Sequence, residues 1–249
     1  ALAEELIAHM KENRNVRRVD GLGSLRRNLS TVGDIDIAVA ADNKYASGII
    51  EHFLKFSRKS AIINSGNKKA SMMVSPGIRV DFRVQDVASY GSMLQYFTGS
   101  KDHNIKLREY ALKKRFSLSE WGMKSLDKNK KIREFESEES LYKFLGLQYI
   151  PPELREGTNE IELAKVNKLP KLVEAEFMKG DLHIHSNYDL KPSHDFGANT
   201  YREICKKGKQ LGYEYVGFSD HNPKISDLTP QQIVTIMKTR FEHIQTLQG

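Results

Sequence analysis

The sequence has little of what secreted and membrane-spanning proteins use. It contains one cysteine, Cys205, in 249 residues, so no disulfide can form within the chain. No apolar run approaches the ~20 residues that a spanning helix needs. The first residues include Glu4, Glu5 and Lys11, which is unlike a secretory leader. We therefore expect a cytoplasmic monomer with no membrane partner.

The sequence also has no excess of acidic residues. Basic residues outnumber them, and this positive excess is concentrated in one segment. The formal net charge is +7, and residues 101–133 contain 11 Lys and Arg against 4 Asp and Glu. A basic segment gives salt-sensitive, sequence-independent affinity for a phosphate backbone. Lys113 and Lys114 are its candidate contacts to nucleic acid. A solvated basic loop is the alternative for the later half of the segment.

Two motifs near the N-terminus combine anion donors with paired carboxylates. Gly23-Ser24-Leu25-Arg26-Arg27 offers backbone N–H, hydroxyl and guanidinium donors, which suit a phosphate group. Gly33-Asp34-Ile35-Asp36 begins an apolar strand that places Asp34 and Asp36 on one side. Two like charges there are costly unless a cation neutralises them. An isolated Asp-x-Asp is more often a solvated turn, but the upstream donors favour a site for Mg²⁺ and a triphosphate.

A third carboxylate follows in the short alternating run Val80-Asp81-Phe82-Arg83-Val84. It comes after Ser75-Pro76-Gly77, which predicts a turn. We therefore expect this run to form the far arm of a hairpin beside the first carboxylate strand. Asp81 would then complete a three-carboxylate cluster able to hold two metal ions, one on the attacking oxygen and one on the leaving group.

These motifs resemble the nucleotidyltransferase superfamily, and a later segment narrows the resemblance to the family X DNA polymerases. That segment is Leu94-Gln95-Tyr96-Phe97-Thr98-Gly99-Ser100, followed by Asn104 and Arg108. The resemblance implies that Asp34, Asp36 and Asp81 bind Mg²⁺ or Mn²⁺. It also implies that the incoming nucleotide is bound by Gly23, Ser24, Arg27, Gly33, Tyr96, Phe97, Gly99 and Asn104, and the template strand by Arg108.

The residues after Ser100 support that resemblance independently. The run from Lys101 to Arg115 predicts a helix, in which Asn104 and Arg108 are four residues apart and share a face. Asn and Arg side chains together suit minor-groove acceptors, which all base pairs present. The alternatives are a solvated polar face for this helix and ordinary core packing for the aromatic pair before it.

A second chemistry begins at Gly180-Asp181-Leu182-His183-Ile184-His185. On a strand His183 and His185 share a face and form half of a transition-metal site. A helix over Thr200–Leu211 and a strand over Tyr213–Phe218 follow, and the strand ends at Ser219-Asp220-His221. Strand, helix and strand with metal ligands at the strand ends predict the opening of a β/α barrel.

This part resembles the start of a PHP (polymerase and histidinol phosphatase) domain. The resemblance implies a Zn²⁺ or Mn²⁺ site at His183, His185 and His221, with either Asp195 or Asp189 as the carboxylate. The chain holds only about 70 residues of this domain, and the family's later metal motifs have no counterpart in it. The helix-hairpin-helix domains that precede the catalytic part in family X enzymes also have no counterpart in this chain. The resemblance therefore covers a middle section of a longer protein.

The interpretation as a whole is an α+β fold: a nucleotidyltransferase palm with a mixed sheet, a small helical subdomain, and the start of a PHP-type β/α barrel. We predict the palm at 1–88, the nascent-base-pair and DNA-binding subdomain at 89–150, a linker at 151–178 and the partial PHP domain at 179–249. The expected reaction is template-directed transfer of a dNTP to the 3′-hydroxyl of gapped or primed DNA, as in repair. The alternatives are an untemplated nucleotidyltransferase, a PHP-type nuclease or phosphoesterase, and a non-catalytic DNA-binding fragment.

Overall fold

The structure is a computed structural model that describes residues 2–127, 131–191 and 194–247. The part of the predicted basic segment at residues 128–130 lies outside the described residues. The chain divides into two units, residues 1–170 and 171–249. No helix among the described residues is long and apolar enough to cross a membrane.

The first half of the first unit is built on a five-stranded sheet. Its elements are α1 (Leu2–Lys11), β1 (Arg18–Gly21), α2 (Gly23–Arg26), β2 (Ile35–Ala40), α3 (Ala46–Phe53), β3 (Lys59–Ser65), β4 (Lys69–Val74) and β5 (Ile78–Gln85). The strand order is β1-β2-β5-β4-β3. Strands β2 and β5 are parallel, and the other pairs are antiparallel. The predicted mixed sheet is confirmed, as is the hairpin that ends in the strand of Asp81.

Strand β2 is buried on both sides, which explains its apolar sequence. Ile37 and Val39 belong to the core that α1 and α3 cover. In that core the Phe53 ring of α3 stacks on the Phe82 ring of β5, with ring centroids 4.3 Å apart. Ala38 packs on the opposite side of the sheet, against a smaller apolar cluster that includes Tyr90. Because side chains alternate along a strand, Asp36 is on the side of Ala38.

The second half of the first unit is mainly helical. Its elements are α4 (Tyr90–Thr98), α5 (Lys101–Lys113), β6 (Phe116–Ser119), β7 (Gly122–Ser125), β8 (Ile132–Arg133), α6 (Glu138–Phe144) and α7 (Glu160–Lys165). The three short strands form an antiparallel sheet. Side-chain caps fix two helix starts: Ser100 accepts a hydrogen bond from the His103 amide, and Ser137 accepts one from the Ser140 amide.

The predicted linker at 151–178 is wrong for its first part. Ile161 and Ala164 of α7 are buried in the same apolar core as α5 and α6, and Arg155 has no exposed surface. The polar composition of this stretch suggested solvent exposure. Two of its charged side chains, Arg155 and Glu160, are instead paired inside the unit, and the unit continues to residue 170.

The second unit contains β9 (Gly180–Ile184), α8 (Tyr201–Gln210), β10 (Tyr215–Phe218) and α9 (Pro230–Gln245). Strands β9 and β10 pair in parallel, as a strand–helix–strand connection requires. Capping boxes at Thr200 and Thr229 start α8 and α9. The predicted order of strand, helix and strand is confirmed for this unit.

Candidate active site

Two of the predicted carboxylates come together because their strands are neighbours. Asp36 of β2 and Asp81 of β5 are register partners in the parallel pair. Asp34 lies just before β2 and is exposed, whereas Asp36 is half-buried. The two strands therefore carry adjacent carboxylates on the side of the sheet that α4 only partly covers.

The carboxylates interact electrostatically. Burial raises the pKa of Asp36, and the negative charges of Asp34 and Asp81 raise it further. Asp81 accepts hydrogen bonds from the Ser71 hydroxyl and from Arg79, whose Nε and Nη2 lie 3.0 Å from its two oxygens. A cation beside Asp36 would relieve the repulsion that raises its pKa, so this oxygen donor set fits a hard divalent ion.

The three carboxylates do not form a closed ligand cage. Among the described residues, two groups bring three ligand atoms within 4.8 Å of one another. They are His9, Glu12 and His52, and His194, Asp195 and His221. The Asp34, Asp36 and Asp81 set is not one of them. It is an open carboxylate surface on the sheet.

The predicted phosphate donors sit at the start of α2, against the same carboxylates. Gly23 has φ +56°, and a Cβ there would lie 2.9 Å from Oδ2 of Asp36. The loop can therefore approach the carboxylate only because residue 23 is glycine. Ser24 is half-buried in the helix, and Gly33 is exposed before β2. This arrangement places backbone donors directly beside the carboxylates.

Arg26 and Arg27 join α2 to the end of α4. Arg27 donates to the carbonyl oxygen of Thr98, and its Nε is buried without a hydrogen-bond partner among the described residues. Gly99 leaves room for this side chain, since a Cβ there would lie 3.1 Å from Nη1 of Arg27. Arg26 donates to Oγ1 of Thr98 at 2.6 Å and to Glu138 at 2.6 Å. Arg27 thus keeps one buried N–H without a partner beside Gly99, whereas both ends of the Arg26 guanidinium are paired.

Two arginine side chains lie over the rings of Tyr96 and Phe97 at the end of α4. The Tyr96 and Phe97 rings meet edge to face, with centroids 4.8 Å apart. Arg108 lies over the Tyr96 ring at 4.7 Å and Arg83 over the Phe97 ring at 3.6 Å. Arg83 was missed by the sequence reasoning, although it follows Asp81 by two residues and so shares its side of β5.

Asn104 is held in place by the helix before it. Its side-chain oxygen accepts from Nε2 of Gln95 at 2.7 Å, and its Nδ2 donates to the backbone carbonyl of Tyr96 at 2.7 Å. Asn104 and Arg108 share one face of α5, as predicted from their spacing. The amide is therefore positioned next to the aromatic pair, at the predicted nucleotide pocket.

Lys113 and Lys114 are not on that face. An α-helix turns about 100° per residue, so both lie far around α5 from Arg108. Lys113 lines a separate groove of about 410 Å³ with Lys106, Tyr110 and Lys165. Nζ of Lys114 lies 5.3 Å from the centre of the Tyr110 ring. The structure thus does not group these two lysines with Arg108.

A buried ion-pair network fixes the first unit around the site. Glu138 accepts from Arg26 and from Arg155, each at 2.6 Å. Burial opposes ionisation, but the two arginines outweigh it and lower the pKa of Glu138. Sequence reasoning missed this network because its partners are 112 and 17 residues apart. It connects α2, which offers the phosphate donors, to α6.

The second unit has its own candidate metal centre at the ends of its strands. Nε2 of His221 lies 3.3 Å from Asp195, and His194 joins them within the 4.8 Å group. Nε2 of His183 and Nε2 of His185 are 3.2 Å apart, and the His185 ring stacks on that of His221 at 5.0 Å. These are imidazole nitrogen and carboxylate oxygen donors, the set that suits Zn²⁺ or Mn²⁺.

The structure distinguishes the two candidate carboxylates of this centre. Asp195 contacts His221, whereas Asp189 accepts from the backbone N–H of Lys191 in a turn. His194, beside Asp195, was not predicted as a ligand. Asp220 is occupied elsewhere, because Tyr201 at 2.6 Å and Arg240 at 3.1 Å donate to its carboxylate.

Comparison with known proteins supports the family resemblance. Residues 93–156 match the DNA polymerase beta thumb family. The chain is also 31% identical, over 259 aligned residues, to the protein described as "DNA polymerase/3'-5' exonuclease PolX" from Bacillus subtilis (strain 168). That alignment covers 100% of this chain and 44% of the relative. The chain thus spans less than half the length of the relative that it matches.

Proposed function

We propose that this chain is the catalytic part of a family X DNA polymerase. The proposal starts from two matches, one of residues 93–156 to a DNA polymerase beta thumb and one of the whole chain to a PolX polymerase. The proposed reaction is transfer of a dNTP to the 3′-hydroxyl of gapped or primed DNA, with pyrophosphate as the leaving group. The gap-filling step of DNA repair, in the cytoplasm and by a monomer, is the proposed setting.

The observation that carries this proposal is the carboxylate pair beside the α2 donors. Asp36 and Asp81 are register partners, and Gly23 brings the α2 backbone against Asp36. A negative triphosphate and its counter-cation need these two kinds of group side by side. We propose that Asp34, Asp36 and Asp81 hold Mg²⁺ or Mn²⁺, which would lower the pKa of the attacking hydroxyl and neutralise charge on the leaving phosphates.

The remaining residues position the substrate. Backbone and hydroxyl donors at Gly23, Ser24 and Gly33, with the Arg27 guanidinium, are proposed to hold the triphosphate. Asp81 accepts hydrogen bonds from Arg79 and Ser71. Its carboxylate would therefore be shared between these donors and a bound cation. No covalent intermediate is needed, because orientation and charge neutralisation supply the rate enhancement.

The residues around the aromatic pair would read the shape of the new base pair. Tyr96 and Phe97 are proposed to flank the sugar, with Gly99 allowing close approach. Asn104, held by Gln95, is proposed to reach the minor-groove edge of the incoming base, and Arg108 the template strand. An untemplated nucleotidyltransferase would need the carboxylates but would give Asn104 and Arg108 no role.

Replacing Asp81 with asparagine tests this site. Asp81→Asn should lower single-nucleotide insertion on a gapped duplex by about 100-fold or more, because a charged ligand is lost while the α2 donors remain. Glu51→Gln, an exposed carboxyl on α3, is the matched control and should insert normally. Insertion by Asp81→Asn within a few-fold of the parent would remove Asp81 from the mechanism.

A second function is favoured by the histidine cluster of the other unit. We propose that residues 179–249 are the start of a PHP-type domain in which His183, His185, Asp195 and His221, with His194, bind Zn²⁺ or Mn²⁺. Such a site would serve phosphoester hydrolysis by activating water. The Bacillus relative is described as a 3'-5' exonuclease as well as a polymerase.

Titration with Zn²⁺ or Mn²⁺, monitored by calorimetry, tests the proposed metal site at the histidine cluster. His221→Ala should remove one binding event for Zn²⁺ or Mn²⁺, because its imidazole contacts Asp195 and stacks on His185. His52→Ala is the control, since it alters the other group of three ligands in the described chain. Unchanged binding in His221→Ala would contradict the proposed metal site.

A further inference from the structure

Helix α8 carries a basic stripe that neither proposed site uses. Arg202, Lys206 and Lys209 are spaced four and three residues apart, so they lie along one face of the helix. All three are exposed. They line a groove of about 530 Å³, here called the α8 groove, whose other lining residues are Cys205, Gln210, Thr246 and Leu247.

The charge of this groove is uncompensated. Among the described residues, none of the three cations forms an ion pair with a carboxylate. The carboxylate of Glu203, the acidic residue of the helix, accepts a hydrogen bond from the Thr200 N–H at 2.8 Å as part of the capping box. Lys207 lies on a different side of α8 and lines another cavity together with Glu203. The lining of the α8 groove therefore has three positive charges and no negative one.

We propose that the α8 groove binds the sugar–phosphate backbone of DNA. From Arg202 to Lys209 the stripe rises by seven helical steps, or about 10 Å, which corresponds to about three nucleotide steps at 3.4 Å per strand. Arginine and lysine without carboxylates are the side chains that phosphate contacts use. The choice of DNA among polyanions rests on the proposed polymerase function.

The orientation of α8 gives this contact a direction. Helix α8 begins near the carboxyl ends of β9 and β10, because the Asn187 N–H, just after β9, donates to the carbonyl of Asn199, just before α8. Its first residue, Tyr201, donates to Asp220 at 2.6 Å, next to His221. Arg202 is therefore the end of the stripe nearest the histidine cluster, and Lys209 is the far end. A strand lying along the groove is guided towards that cluster.

The lone cysteine allows a local test in the full chain. Cys205 lines the α8 groove and is the single cysteine of the sequence, so a benzophenone maleimide placed there can be photo-crosslinked to end-labelled primed DNA. The matched control is the Cys205→Ser, Lys207→Cys variant, which puts the same probe on a different side of the same helix. Primer extension by each labelled protein is measured in parallel.

We expect crosslinking from Cys205, decreasing with salt, and little from position 207. Lys206→Glu with Lys209→Glu should lower the Cys205 yield by about tenfold, because two phosphate contacts are reversed. Both lysines are exposed, and circular dichroism verifies that the variant folds.

Four outcomes would overturn the proposal, and the first two are distinguishable by primer extension. No crosslink at Cys205 from a protein that still extends primers would remove the α8 groove while leaving the polymerase function intact. Loss of both crosslinking and extension would reject the proposed function as well. Equal yields from Cys205 and position 207, or an unaffected double variant, would mean contact without a specific groove and would also overturn it.

Discussion

Individual side chains determine what the carboxylate surface can do. Asp36 is half-buried with a raised pKa because burial and two neighbouring carboxylates disfavour its charge. The proposed cation would reverse that balance, because its positive charge would favour the ionised carboxylate. Function and stability are therefore opposed at this residue.

Gly23 should be the least replaceable residue of the α2 loop. In Gly23→Ala the new Cβ would meet Asp36 at 2.9 Å, in a backbone with φ +56°. We expect a loss of about 1–3 kcal/mol in the free energy of unfolding, together with reduced nucleotide insertion. Thermal denaturation and the gap-insertion assay measure the two effects.

Gly48→Ala is the matched control for this substitution. Gly48 lies in α3, and a Cβ there meets nothing within 4 Å, so alanine should be neutral or stabilising by about 0.5–1 kcal/mol. Equal behaviour of the two variants would contradict the close approach of α2 to Asp36.

The sequence was informative where the chemistry is local. Asp34, Asp36 and Asp81 could be predicted because carboxylates in apolar strands are unusual. Arg83 was accessible from its alternation with Asp81, but its partner Phe97 was not, because that contact depends on how α4 packs on the sheet. His194 was overlooked since it lies outside the predicted strand-end motifs.

The helices and strands show the same limit more clearly. Alternation and periodicity predicted β2, β5, α5 and α8. They did not predict that residues 151–170 pack into the first unit, because this depends on polar groups pairing at long range. His103 of α5 contacts Glu160 of α7 at 2.7 Å and Tyr142 of α6 at 2.9 Å, and periodicity alone does not predict such a buried polar junction.

This junction predicts acid sensitivity of the first unit. Burial lowers the pKa of His103 below its ordinary 6.5. For Glu160 burial acts in the opposite direction, but the His103 hydrogen bond and backbone N–H groups outweigh it and lower its pKa to about 2. A depressed carboxyl pKa means stability that is present above the ordinary 4.5 and lost as pH falls towards 2. Neutral, buried His103 adds a loss that begins below 6.5.

Glu160→Gln should therefore unfold more easily at neutral pH, by about 1–3 kcal/mol, and depend less on pH below 4.5. Urea titrations monitored through Trp121, the single tryptophan of the chain, measure this. Glu162→Gln on the same helix is the control, because its exposed pair with Lys165 contributes under about 1 kcal/mol. A parent curve that is flat between pH 6.5 and 2 would contradict the buried junction.

The chain as a whole combines two proposed sites of phosphate chemistry, one in each unit, with a local positive excess. The first unit carries the three carboxylates, the α2 donors and the face of α5 with Asn104 and Arg108, whereas the second unit brings imidazoles together. The positive excess lies in residues 101–133 of the first unit, where it favours a polyanionic substrate. The central claim is that the first unit copies a template, and the carboxylates alone do not distinguish that from untemplated transfer.

Insertion opposite each of the four template bases tests this claim most directly. A one-nucleotide gapped duplex is offered one dNTP at a time with Mg²⁺ or Mn²⁺, and the same primer is offered without a template. We predict that insertion requires the template and strongly favours the complementary dNTP, because Asn104 and Arg108 are proposed to contact a formed base pair. Insertion that ignores the template base, or that proceeds equally well without a template, would contradict the account.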